Sequence, residues 1–208
     1  TMRPLILTPG NYGADFIATH PALAALPSVR CSNFIGEALD RAVLYGFTHI
    51  LLVGHAGKLV KIAGGIMNTH SRTADCRMEL LCAHAALTGA PRAVLTELMQ
   101  CATVDAALDV LDTVPHADSA PNDDDAQATA NVSATAAPPC IKKPFSAVVM
   151  RRITTAAQCH LTARVSRAGS TAKVGIIMFT NERGVIGISD NARAICTQLE
   201  DFSTQERR

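Results

Sequence analysis

The ten residues HILLVGHAGK, His49–Lys58, pass from four consecutive apolar side chains into a polar turn bounded by glycines. A short continuous apolar run closed by such a turn is the pattern of a strand covered on both faces. Two further strand-like segments precede it. RPLILTPG ends at Gly10, and SVRCS follows a helical stretch near Ala14–Leu23. Between the second and third strands, SNFIGEALDRAVLYG places Phe34, Ile35, Ala38, Leu39, Ala42 and Val43 at helical spacing, with Gly46 positioned as a C-terminal cap. The order is β-α-β-α-β, which predicts an α/β fold: a Rossmann-like, mostly parallel sheet with helices on both faces.

Downstream, ADCRMELLCAHAALTG reads as a helix ending at Gly89. Pro91 is placed to open a second helix, and Thr103 to cap a third over VDAALDVLD. Pro144–Arg167 has helical periodicity, and KVGIIMFTNERGVIGIS reads as a C-terminal strand pair turning at Asn181–Gly184. The expected organisation is a ligand-binding part over 1–112 and a disordered acidic, Ala/Pro-rich insertion over 113–143. A helix and strands completing the same domain then occupy 144–190, with a polar tail at 191–208.

Of the 208 residues, 48% are apolar and 18% charged, the balance of a soluble globular protein. Aromatics make up 4% and Trp is absent, which argues against a base-stacking surface; a formal charge of +1 argues against a broad phosphate-binding face. No nucleic-acid partner is expected. The charge is uneven: Ala93–Ile141 holds eight acids and no Lys or Arg, so the remainder sets nineteen basic against ten acidic side chains, +9. A site for a polyanionic small molecule and an acidic solvated linker account equally well for this. Seven cysteines without a CxxC pair read as reduced thiols of a cytoplasmic protein, and no apolar run is long enough to span a bilayer.

In a parallel α/β sheet, ligands bind beyond the carboxyl ends of the strands, close to helix N-termini. Three polar, glycine-containing segments fall there: TPGNYG (Thr8–Gly13), SNFIG (Ser32–Gly36) and GHAGK (Gly54–Lys58). The last continues into GHAGKLVKIAGGIMNTHSRTADCRME, which carries two histidines, two lysines and an Asn-Thr-His-Ser run. GHAGKL is not a P-loop, because Leu59 stands where Ser or Thr must reach magnesium. GNYG is not the dinucleotide fingerprint, and no G-x-S-x-G elbow occurs. His55, His70, Asp75 and Cys76 are competent ligands without paired spacing, so no protein-bound metal is expected. Lys58 and Lys61, three apart, share a helix face with Leu59, Val60, Ile62 and Ala63 packing inward. That face is either plainly solvated or, with Arg72 and Arg77, a receiver of carboxylates.

TPGNYG, VRCSNFIGEALDRAVLYGF, ILLVGHAGKLVKIAGGIMNTHSRTADCRMELLCAHAAL and FTNERGVIGIS together resemble the cobalt-precorrin-5B C1-methyltransferases, the CbiD family, over Leu5–Ala106 and Lys173–Ser189. The resemblance implies transfer of a methyl group from S-adenosylmethionine to carbon 1 of a cobalt-containing tetrapyrrole in anaerobic cobalamin (vitamin B12) biosynthesis. Cobalt then belongs to the substrate. It also implies that this chain is the C-terminal portion, with an N-terminal domain as missing partner; the alternative is a catalytically incomplete tetrapyrrole-binding domain. On this reading Thr8, Gly10, Asn11, Gly13, Ser32, Asn33 and Gly54 line the methyl-donor cleft. Lys58, Lys61, Asn68, Thr69, Ser71 and Arg77 face the tetrapyrrole, and His55 and His70 are the candidates for catalytic hydrogen bonding or proton transfer.

Overall fold

Alternate residues of the central strands go to opposite cores. In the computed structural model, which describes the backbone of residues 2–115 and 144–205 and side chains as far as 199, β1 is Pro4–Thr8 and β3 is His49–His55. Leu5 and Leu7 of β1, with Ile50 and Leu52 of β3, join one hydrophobic cluster; Ile6, Leu51 and Val53 join another. Period-two alternation inside a continuous apolar run is what a sheet covered on both faces requires. The first face carries α3 (Ile35–Leu44), α4 (Ala56–Leu59) with the 3-10 turn Val60–Gly64, α5 (Arg77–Leu87), α6 (Arg92–Leu98), α7 (Val104–Asp112) and α8 (Phe145–Arg167). The second carries α1 (Asn11–Ala18), α2 (Pro21–Ala24) and α9 (Asp190–Gln205).

The sheet has five strands in the order β2-β1-β3-β4-β5, where β2 is Ser28–Arg30, β4 Lys173–Thr180 and β5 Gly184–Ile188. The first four are parallel and β5 returns antiparallel to β4. Because the chain leaves β1 toward β2 and then crosses to place β3 on the other side, β1 and β3 flank a topological switch point, where doubly wound sheets open a crevice.

Most expected elements form, with informative differences. The helix expected near Ala14–Leu23 is two helices, since Pro21 starts a new one and its ring cannot continue the first. β2 is a three-residue edge strand with every side chain exposed. Thr103 caps α7 as expected, its Oγ1 accepting from Ala106 N–H at 3.1 Å, and Pro91 sits at the N-cap of α6. The stretch read as a polar tail forms α9 as far as Gln205, and Ala192 and Ile195 are buried against the sheet. Gly175 permits that contact: a Cβ there would lie 2.5 Å from the Ala192 backbone. Of the segment read as a disordered insertion, 116–143 lie outside the described residues; Val114, near its start, is buried. Among the described residues, no helix is long and apolar enough to cross a membrane.

Candidate functional site

The carboxyl ends of β1, β3 and β4 share one edge of the sheet, and the polar segments gather above it. At the switch point, Gly10 leaves β1 with φ +92°, a conformation that suits glycine; a Cβ there would meet only Lys58 Nζ, at 3.5 Å. Lys58 on α4 therefore reaches back over the start of α1. Asn11 is exposed, its Oδ1 at 3.5 Å from an Arg30 guanidinium nitrogen. The His55 ring lies 5.8 Å from those of Tyr12 and Phe179, between an exposed and a buried aromatic.

A cleft of about 270 Å³ opens beside this crevice, lined by Asn33, Gly57, Lys58, Lys61, Thr69, His70, Ser71, Asp75 and Arg77. One wall is the start of α3, and the other is the loop 65–76. Three contacts stitch them together: Gly36 N–H donates to Met67 C=O at 3.1 Å, Thr69 N–H to Asn33 C=O at 3.0 Å, and Phe34 and Asn68 form an isolated bridge. Ser32 turns the chain into this wall with φ +53°.

Lys61 holds the loop from below. Its side chain is 4% exposed, and Nζ donates to Thr69 C=O at 3.2 Å and Ala74 C=O at 2.8 Å; the Asp75 carboxylate stands 3.8 Å away. Asp75 is itself gripped by Arg77 through two bonds of 2.8 Å. That guanidinium holds the Asp75 carboxyl below its ordinary range of about 3.8. Among the described residues Lys58 makes no ion pair or hydrogen bond.

Both histidines use the same nitrogen on the backbone. His55 Nδ1 accepts from Gly57 N–H and His70 Nδ1 from Arg72 N–H, each at 3.1 Å, while Asn68 Oδ1 accepts from His70 N–H. A ring nitrogen that accepts carries no proton, so each neutral ring bears its hydrogen on Nε2. In that tautomer the outward atom is a hydrogen-bond donor.

Of the residues singled out in the sequence, Asn33, Lys58, Lys61, Thr69, His70, Ser71 and Arg77 line one cleft. Gly10, Asn11 and His55 adjoin it at the switch point, and Ser32 and Asn68 shape its walls. Thr8, Gly13 and Gly54 lie beneath the surface. A Cβ on Gly13 would meet Thr8 Oγ1 at 1.8 Å and one on Gly54 would meet Pro9 at 2.9 Å, so the chain's own atoms fill the space at both glycines. Thr8 Oγ1 is buried without a hydrogen-bond partner among the described residues. Sequence reasoning passed over Gly57 as a lining residue and weighed Asp75 only as a metal ligand. Its place two residues before Arg77, at a helix start, was the available signal. Among the described residues no group of three or more His, Cys, Asp or Glu side chains is arranged to hold a metal ion.

The molecule is thus a doubly wound α/β domain with a cationic cleft at the carboxyl edge of its sheet. Residues 68–119 match the family model of the CbiD C-terminal domain, so the likeness read from the sequence stands. The chain is 55% identical over 100 residues to a cobalt-precorrin-5B C(1)-methyltransferase of Ruminiclostridium cellulolyticum, covering 48% of this chain and 26% of that protein. It is 49% identical over 111 residues to the Edwardsiella ictaluri protein of the same name (53% and 29%), and 45% identical over 108 residues to that of Citrobacter koseri (52% and 28%). The matched region spans under a third of each of these relatives. No solved structure matches the chain.

Proposed function

We propose that this chain is the C-terminal part of a cobalt-precorrin-5B C1-methyltransferase, working in the anaerobic route to cobalamin in the cytoplasm. The observation that carries the reading is identity of 45–55% to three proteins of that name, together with a family match that contains Asn68, Thr69, His70, Ser71, Asp75 and Arg77. The acceptor is a cobalt-bearing tetrapyrrole whose carboxylate arms suit Lys58 and Arg77. The methyl donor, S-adenosylmethionine, supplies an activated methyl group on a sulfonium. Features at the switch-point crevice support a site for such a molecule: the backbone at Gly10 is open, and an exposed Tyr12 ring stands beside His55.

Methyl transfer is an in-line displacement, so the main task of these residues is to align donor and acceptor. His55 and His70, with Nδ1 committed to the backbone, orient ligand oxygens through Nε2–H instead of removing a proton. Neither a nucleophilic side chain nor a protein-bound metal is required. Calorimetric titration with S-adenosylhomocysteine tests the reading. Saturable binding that is lost in an Asn11→Ala, His55→Ala double variant supports it. A folded chain that binds nothing favours the second reading, a tetrapyrrole-holding domain completed by an N-terminal partner, for which the short span of the relatives covered speaks.

A further inference from the structure

The unsettled feature of the cleft is the Lys61 ammonium. An ammonium has three donors, and two are spent on Thr69 and Ala74 carbonyls. Its nearest carboxylate, on Asp75, is 3.8 Å away, 40% exposed, and bonded bidentately to Arg77. A charge so buried needs pairing as well as hydrogen bonding, and here one donor and most of the charge remain unspent. The atom lines the cleft. Lys58, unpaired among the described residues, lines it too, and Arg77 retains three of its five N–H groups after gripping Asp75. Three cations against one carboxylate leave the cleft two positive charges in excess.

Size decides what can satisfy them. Sites that enclose a whole small molecule run to about 300–1,000 Å³, and this cleft holds about 270 Å³. A macrocycle does not enter it; a two- or three-carbon arm ending in a carboxylate does.

We propose that the cleft between α3 and the 65–76 loop receives one alkyl carboxylate arm of a larger polycarboxylate. The arm's oxygens complete the third donor of Lys61 and bridge Lys58 and Arg77, while the body of the ligand stays outside. The carboxylate chemistry stands on the cleft alone; assigning the arm to the tetrapyrrole acceptor rests on the methyltransferase reading. The same chemistry is offered by the amino-acid end of the methyl donor, and the two sources give different results in one experiment.

The test follows backbone amide NMR shifts of the full chain during titration with glutarate, glutaramide, uroporphyrin and S-adenosylhomocysteine. Glutarate and uroporphyrin should shift Asn33, Thr69, Ser71 and Arg77 saturably, and neutral glutaramide should not. Arg77→Gln should weaken glutarate roughly tenfold, as loss of a charge-assisted bond does, with the fold's other resonances unchanged. Lys61→Met should abolish the response, and Arg77→Gln carries the test if that variant loses the loop. No carboxylate response at these amides, or an equal response to glutaramide, overturns the proposal. S-adenosylhomocysteine displacing glutarate overturns the assignment to the acceptor. A glutarate response with no S-adenosylhomocysteine binding anywhere leaves the arm pocket standing while the methyltransferase reading falls; the converse result spares that reading and removes the pocket.

Discussion

Two loops at the carboxyl edge of the sheet are each fastened by one cation, in opposite ways. The β4–β5 turn is held by Arg183, which reaches out to the carboxylates of Asp109 and Asp112 on α7, while its N–H donates to Thr180 Oγ1. Asp112 in turn accepts from Ser146 N–H at the start of α8. The 65–76 loop is held by Lys61, which is buried and bonds backbone carbonyls. In the turn, charge meets charge and is spent, in a partly wet setting where such pairs contribute little. In the loop, the fastening uses hydrogen bonds and leaves the charge over, so one device serves the fold alone and the other keeps a charge for the carboxylate arm proposed above.

The comparison can be broken first at Lys61. Lys61→Met strands two carbonyls, and the chain should lose roughly 2–4 kcal/mol in denaturant unfolding. Cys76 closes the loop, and burial pushes its thiol pKa up while Lys61 opposes that shift. Once the loop opens, the gain in exposure should outweigh the lost charge and the thiol should alkylate faster than in the parent chain. A loss below about 0.5 kcal/mol with Cys76 unchanged would mean that the stitches to α3 hold the loop without the lysine. A smaller effect is expected on acidification. The Asp75 carboxyl titrates below 3.8, so its contribution is fully present above that value and disappears as pH falls through the depressed one. Carboxyl carbon NMR should show Asp75 titrating below 3.8; an inflection at or above that value would contradict the bidentate clamp. Least of all, Arg183→Gln should cost no more than about 1 kcal/mol, read as a small fall in melting temperature, and a loss matching that of Lys61→Met would erase the distinction.

Much of this was legible in the chain. His49–Val53 announced a two-sided central strand because its apolar run has no gap, and the three glycine-bearing turns announced the edge where the cleft lies. That Lys58 and Lys61 share a side follows from their spacing, and both line the cleft. Their depth does not follow: whether a lysine stays in solvent or bonds carbonyls depends on where a loop thirteen residues on returns. α9 was illegible for a related reason, since its mean hydropathy is low and its few apolar side chains become a helix face only once Gly175 admits them. The histidine tautomers depend on backbone N–H groups two residues away, which sequence spacing does not aim.

The pairing of β3 with β4 has a consequence for how the protein is made. His49 sits opposite Lys173 and Leu52 opposite Ile176, a separation of 124 residues in each case. A ribosome adding about 5–20 residues each second therefore leaves the Ile50–Val53 strand bare along one edge for roughly 6–25 s after it emerges. Parallel partners so far apart in the chain close slowly, and an unpaired apolar edge is a template for the wrong neighbour. The central strand, the one that positions His55 and Lys58, is thus left open to chaperones and to aggregation before its partner strand is made.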